Sequence, residues 1–453
     1  MTGLTDSIAH FVSGGAAVPE EAARIVRTGF IDTISTMIAG RNEDVVGMVR
    51  KFVAARQSTA REAQVLFGAE RAAAADAALI NATAAHALDY DDVALGGHPS
   101  TVLVPAVLAE GEHLGASGAD AVRAYLVGYE VWAELLAREP DAYHLKGWHP
   151  TAVMGTVGAA AAVAHLHQLS PQACSNALAI AASMASGLVA NFGTMTKPLH
   201  AGRAASCAIE AVRLAALGLS AAPDAFEHHA GFLSALSPKG RAERERPVSG
   251  LGQQWRILET GLSIKKYPMC YATHRVIDAV LDLAKANGVK AEDVKQVDAT
   301  IGVAQASMLR NHAPVTGLEA KFSLEFAIAS SLVARKVGLA QLTDKFVAEA
   351  PVREAMGRVK IATVDTSCPI EPIFSLTDRV VLELRDGRRL DSGEVRFARG
   401  NAKLPLKDEE LKAKFLDCTA GAGDLDASAL YQALNRLGEQ AGLRKLGAST
   451  AAA

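Results

Sequence analysis

The strongest constraint on this chain is its alanine. Between residues 20 and 217, apolar residues recur every three or four positions, and most of the small ones are Ala or Gly. That period places apolar side chains on one face of an α-helix, and small side chains let two such faces approach closely. Pro19-Glu20-Glu21 has the form of a helix start, with Pro in the first turn and acids beside the positive dipole end. Ala22, Ile25, Val26, Phe30, Ile34 and Ile38 follow at helical spacing until Gly40, which suits a C-terminal cap. The same period predicts helices over residues 72–88, 101–114, 119–136, 151–167, 171–188 and 199–217. The expectation is a compact bundle of closely approaching helices.

The pattern changes after Gly261. Val297, Ala299, Ile301 and Val303 alternate with Asp298, Thr300 and Gly302, a period of two that predicts a strand. Residues 358–364 and 379–384 add further strands, and Asp386-Gly387 signals a hairpin between Val380-Val381-Leu382 and Glu394-Val395-Arg396. Helices are expected in the second half of residues 264–287, over residues 321–336 and 341–350, and again from 407 to 446. The resulting fold class is mainly α. A large discontinuous all-helical domain (residues 1–262 with 400–453) carries a smaller α+β domain (residues 263–399) as an insertion.

Composition excludes several classes of function. A chain of 453 residues that is 50% hydrophobic can bury large cores, so disorder and disulfide scaffolds do not apply. With 46 Lys+Arg against 49 Asp+Glu and no basic block, it offers no footprint for a phosphate backbone, and no nucleic acid partner is expected. The five cysteines are far apart, without CxxC spacing, and fit reduced thiols in a cytoplasmic protein. The first 23 residues lack the basic start and apolar run of a leader. Residues 152–164 are too short and too weakly apolar to span a bilayer, so no membrane association is expected.

Four segments could carry chemistry. In His86-Ala-Leu-Asp89-Tyr-Asp91-Asp92, followed by Gly97-His98-Pro99-Ser100, three carboxylates lie within four residues. If buried, they should keep at least one member neutral or raised in pKa; if solvated, they are ordinary loop acids and caps. Metal ligation is a further reading of the Asp and His residues, without EF-hand or HExxH spacing behind it. Trp148-His149-Pro150-Thr151 repeats the arrangement of a His before a Pro at a helix start, where free N–H groups attract anions. Met195-Thr-Lys197-Pro198-Leu-His200-Ala-Gly202-Arg203 is a basic cluster between Ala-rich stretches. Lys265-Lys266-Tyr267-Pro268-Met269-Cys270-Tyr271-Ala272-Thr273-His274-Arg275 sits at the expected domain junction; without a GxSxG elbow, its cations read as carboxylate binders and Cys270 as wall.

Taken together and in this order, these segments resemble the MmgE/PrpD family over essentially the whole chain. That family includes 2-methylcitrate dehydratase, cis-aconitate decarboxylase and iminodisuccinate epimerase. Lys266-Tyr267-Pro268 with Thr273-His274, Glu319-Ala-Lys321-Phe322-Ser323, Gly400-Asn401 and Lys414-Phe415 also carry the likeness. The resemblance implies a helical domain made from both chain ends, a lid domain from the middle, a homodimer, and neither a metal nor an organic cofactor. In its decarboxylase branch the site positions correspond to Asp89, His98, His149, Lys197 and Lys265. Val93 stands where that branch has Thr and Cys270 where it has His, and the stretch from Asp89 to His98 is one residue shorter.

The expected function is that of a lyase acting at a carbon α to a carboxylate of a small di- or tricarboxylate, most like a 2-methylcitrate dehydratase, a carbon–oxygen lyase. Alternatives are epimerisation of a dicarboxylic amino acid derivative, cis-aconitate decarboxylase-like chemistry, and a non-catalytic carboxylate-binding protein with the family fold. In the leading reading Asp89, His98, His149 and Lys197 are catalytic, and His98 moves the proton at carbon. Lys265, Lys266, His274, Arg275 and Cys270 bind substrate, the cations as charge-assisted pairs. Val93, Cys270 and Met308 would give a less polar pocket, fit for an alkyl-bearing substrate.

Overall fold

The computed structural model of the chain describes residues 3–15, 17–371 and 374–448. They form two compact units, Met1–Ser263 with Asp408–Ala453, and Ile264–Lys407. The fold is mainly α, a large helical part accompanied by a smaller α+β part. Residues 399–401 belong to the second unit because their partners do. Arg399 N–H donates to Asp278 Oδ2 (2.6 Å), Asn401 Nδ2 to Glu371 Oε1 (2.9 Å), and Ile264 N–H to Gly400 O (2.7 Å).

In the helical unit, Pro150–Leu166 is buried on every side from Pro150 to Ala164. A helix apolar all round has no other stable place than the middle of a core. Gly118–Leu136, Thr196–Ala216 and Ser100–Leu114 pack around it, and Tyr125, Tyr129 and Trp132 are fully buried there. The start of Gly118–Leu136 is fixed by a reciprocal cap. Ser117 N–H donates to Asp120 Oδ2 (3.0 Å), and Asp120 N–H donates to Ser117 Oγ (3.2 Å).

Ala74–Ala87 lies directly against Thr196–Ala216. A Cβ at Gly202 would stand 2.2 Å from Thr83 Oγ1 and 2.5 Å from Leu79 O, so this crossing requires glycine. Gly40 works the same way, which corrects its reading as a cap. The helix Glu20–Gly40 runs through it, Arg41 follows in right-handed conformation, and a Cβ there would meet Ala84 O at 2.2 Å. The helix expected over residues 171–188 stops at Met184, because Ala185 is extended and Gly187 takes φ +140. Leu4–Ser13 and Asp44–Ala54 are helices outside the expectation. Near the C-terminus, Asp408–Thr419 and Ala427–Asn435 pack on Glu20–Gly40.

The α+β unit has a four-stranded sheet in the order Val359–Val364, Val294–Gly302, Arg379–Leu384, Arg389–Asp391. Val294–Gly302 pairs parallel with the first and antiparallel with the third, placing Ala299 opposite Ile361 and Val380. Val297, Ala299 and Ile301 pack with Val380 and Leu382 against Val276 and Val280 of His274–Ala286 and Leu324 and Ile328 of Leu324–Val333.

Three expectations in this unit need correction. Val303 is half exposed and begins a short helix after the strand ends. The hairpin partner is Arg389–Asp391 rather than residues 394–396, since Ser392 N–H already closes on Val380 O (2.9 Å) and Val395 makes only an isolated bridge to Asp378. The helix expected over 341–350 divides, with Thr343 capping Asp344–Val347 and Pro351 in the first turn of Ala350–Met356. Among the described residues, no helix is long and apolar enough to cross a membrane.

Candidate active site

The site in the helical unit is assembled from four helix ends. Ala74–Ala87 carries His86 in its last turn and leads into Asp89-Tyr90-Asp91-Asp92. Asp89 is held at φ +52, a left-handed conformation that a side chain disfavours. The chain then turns so that His98 precedes the helix Ser100–Leu114, and its N–H donates to Thr151 Oγ1 (3.1 Å) on the helix that His149 opens. Gly187 O accepts the His149 N–H at 3.0 Å. Lys197 and His200 lie at the start of Thr196–Ala216.

Asp91, fully buried, stands between two imidazoles. His86 Nδ1–H donates to its carboxylate at 2.9 and 3.0 Å, and His98 Nδ1 lies 3.1 Å from Oδ2. The two rings meet edge to face at 4.6 Å. On its other side His98 presents Nε2 3.8 Å from Asp89 Oδ1, the atom that also accepts from Lys197 Nζ at 2.8 Å. His149 stacks 6.0 Å from His86, lies 3.1 Å (Nδ1 to Nδ1) from His200, and packs on the edge of Phe192 at 4.8 Å. Lys197 Nζ lies 5.5 Å from the centre of the same Phe192 ring.

Charge is divided unequally along the turn. Burial pushes the Asp91 carboxyl up, but His86 and His98 outweigh it and hold it well below the usual carboxylate range. Asp92 is also fully buried. There burial, helped by the charges of Asp32 and Asp91 and opposed by the hydrogen bond from Ser100, keeps its pKa well above the usual value. The repulsion visible in the sequence is therefore divided unequally, with Asp91 lowered and Asp92 raised, and these two acids are buried rather than solvated in a loop. Burial also lowers the His86 imidazole to about 4 against the pull of Asp91. His149 is moved far down by burial, with the neighbouring imidazoles and Lys197 adding to it. Neutral His86, with Nδ1–H given to Asp91, leaves an Nε2 that has no hydrogen-bond partner among the described residues.

His86, Asp89, Asp91 and His98 offer ligand atoms within 4.8 Å of one another, close enough to surround a cation. The donor set is already compensated, however. Lys197 pairs with Asp89, and Asp91 faces two imidazoles, so a divalent ion would have to displace existing contacts. Two unlike carboxyl groups around neutral and charge-paired bases suit proton handling better.

Residues 6–245 match the family model of the MmgE/PrpD N-terminal domain, and residues 267–436 that of the MmgE/PrpD C-terminal domain. The chain belongs to the MmgE/PrpD family. Cis-aconitate decarboxylase of Homo sapiens is 30% identical over 353 residues, covering 75% of this chain and 71% of that protein. The mouse protein of the same name is 29% identical over 354 residues, with 75% and 70% covered. Cis-aconitate decarboxylase of Aspergillus terreus is 26% identical over 369 residues, with 76% and 74% covered.

In this MmgE/PrpD chain Asp89, His98, His149 and Lys197 lie in one cluster, whereas the other expected site residues belong to the α+β unit. There Lys265 is buried, Lys266 lies 5.9 Å from the Tyr267 ring, and half-buried Cys270 packs on the sheet core. His274 is fully buried between Tyr267 and Tyr271 at 5.2 and 5.0 Å. Arg275 is buried with Nη1–H on Ser375 O (2.8 Å) and Nη2 on Glu371 (3.2 Å), a structural ion pair.

Three residues of the cluster carry more weight than the sequence assigned them. Asp91 and His86 are visible as polar residues at an Ala-rich helix end, and His200 as an imidazole two residues after Pro198 in the basic cluster. Their mutual contacts had no sequence signal.

Proposed function

We propose that this chain is a lyase that moves a proton at a carbon α to a carboxylate of a small di- or tricarboxylate, with loss of carbon dioxide or water. The observation that carries the reading is His98, held between Asp91 at Nδ1 and the Asp89–Lys197 pair at Nε2. Asp91 Oδ2, 3.1 Å from Nδ1 though outside hydrogen-bond geometry, sets negative charge beside that nitrogen, which favours the proton there and leaves Nε2 as the base. Lys197 is the cation next to the proton-transfer atom, where it meets a substrate carboxylate and stabilises the charge that develops on it. His149, neutral in its buried setting, serves as donor to a carboxylate or leaving group. Lys265 and Lys266 remain the proposed partners for further carboxylates, and the working form is a homodimer that needs no organic cofactor.

Two observations bear on the leaving group. The relatives named above are cis-aconitate decarboxylases, which favours carbon dioxide. Val93 and Cys270 depart from the Thr and His of that branch, which favours a less polar substrate than cis-aconitate, and 2-methylcitrate dehydration is the reading that fits an alkyl group. Proton NMR in deuterated buffer with cis-aconitate, 2-methylcitrate, citrate and N-substituted aspartates separates these outcomes. Loss of carbon dioxide, loss of water, and deuterium uptake at constant heavy-atom composition mark decarboxylase, dehydratase and epimerase in turn. Absence of any exchange at a substrate carbon, in folded protein that binds the compounds, would leave only the carboxylate-binding reading.

A further inference from the structure

The turn that holds Asp89 and Asp91 is strained at its first residue, yet each of its four residues is tied to a different partner. Asp89 goes to Lys197, Asp91 to His86 and His98, and Asp92 takes the hydroxyl of Ser100 at 2.5 Å. The fourth tie belongs to Tyr90, and it comes from Lys414 near the other end of the chain. Lys414 Nζ donates to Tyr90 O at 2.8 Å, stands 3.9 Å over the Tyr90 ring, and pairs with Asp32 Oδ1 at 2.5 Å. All three residues are buried, Lys414 at 5%, Tyr90 at 3% and Asp32 at 0% exposure.

We infer that Lys414 is a positioning residue for the reaction proposed above: through Tyr90 it fixes the turn, and with it the placing of Asp91 against His98. The geometry supports this in three ways. The ammonium grips the carbonyl and the ring of the residue lying between the two acids, so it constrains both the peptide and the direction of the side chains on either side. The buried charge is compensated by Asp32 on the helix Glu20–Gly40, which makes the anchor a rigid point rather than a loose surface lysine. The left-handed Asp89 persists only where surrounding contacts over-determine it, and the Lys414 grip is one such contact. Lys414 itself touches no proposed reacting group, so its effect is transmitted through the turn.

This inference rests on the proposed function for its catalytic half only, and the test separates the two halves. Lys414→Met alone removes the cation that compensates buried Asp32 and risks misfolding, so the variant to use is Lys414→Met with Asp32→Asn, which removes both charges together. In protein labelled with ¹⁵N-histidine, the ring N–H signal of the His86–Asp91 contact reads the position of Asp91 without any substrate. The expected result is a cooperatively melting variant in which this signal is displaced or lost, with turnover on the responsive compound reduced about 10²-fold and KM little changed. Histidine signals that coincide with wild type would overturn the inference whatever the activity. So would a displaced signal with full turnover. A displaced signal in a protein whose wild type transforms none of the compounds would uphold Lys414 as the anchor of the turn, and the failure would then belong to the functional reading.

Discussion

Two stretches of this chain are candidates for chemistry, Asp89–Asp92 with its histidines and the basic run from Lys265 to Arg275, and they handle buried polarity differently. In the second, the polar groups lie in a framework of ion pairs and hydrogen bonds. Tyr267 Oη–H donates to Asp278 at 2.6 Å, His274 sits between two tyrosine rings, and Arg275 is matched by Glu371, Ser375 O and Asp378. In the first, one carboxylate faces two imidazoles, its neighbour is raised in pKa by burial, and a base is placed between two acids. Ion pairs closed on carboxylates and carbonyls hold a fold; a base set between two acids beside a cation can exchange a proton.

The sharpest way to break the comparison is His98→Gln. Loss of a positioned general base costs about 10²–10⁴-fold in rate, and we expect kcat to fall in that range with KM little changed; normal turnover would remove His98 from the reaction. Asp91→Asn is expected to cost about 10²-fold or more, because the amide can no longer fix His98 with Nδ1–H inward. Its readout is steady-state kinetics beside a thermal melt, and a loss confined to stability would reduce Asp91 to a structural acid.

Arg275→Met tests the other side. Breaking a buried pair by removing one partner costs about 3–5 kcal/mol, so urea denaturation should move by that order while the folded fraction keeps its kcat. A folded variant of unchanged stability that loses turnover would transfer Arg275 from the framework to the chemistry.

What the sequence could disclose follows the same division. The helices were legible because alanine and glycine at helical spacing permit little else, and Gly40 and Gly202 show the reason, since each is a place where two helices touch. The candidate residues His98 and His149 were legible from the His-Pro recurrence at two helix starts. The hairpin partner, the end of the helix at Met184 and the break before Pro351 were not, because each depends on one local contact or one backbone angle. Asp91 and Asp92 are neighbours of the same type, and only the fold tells them apart. The Lys414 tie spans 324 residues of chain and leaves no local pattern to read.

The smallest expected effect is the pH dependence of stability, and it distinguishes those two neighbours. A carboxyl whose folded pKa is depressed, as for Asp91, contributes stability that is present above the unfolded value of about 3.9 and is lost as pH falls through the folded pKa. His86, lowered from 6.5 to about 4, acts in the same direction, its contribution fading as pH drops through that interval. Asp92 is raised, so its contribution runs the other way. It is complete below about pH 3.9 and is lost as pH rises toward the folded pKa, where the acid must either stay protonated or ionise beside Asp91 and Asp32. Asn cannot ionise, and it keeps the size of the side chain. Denaturation midpoints of Asp92→Asn relative to wild type should therefore improve as pH rises above about 3.9, while Asp91→Asn shows no such gain. A pH-independent difference for Asp92→Asn would mean that Asp92 is ionised in the fold, and the contrast between the two acids would be gone.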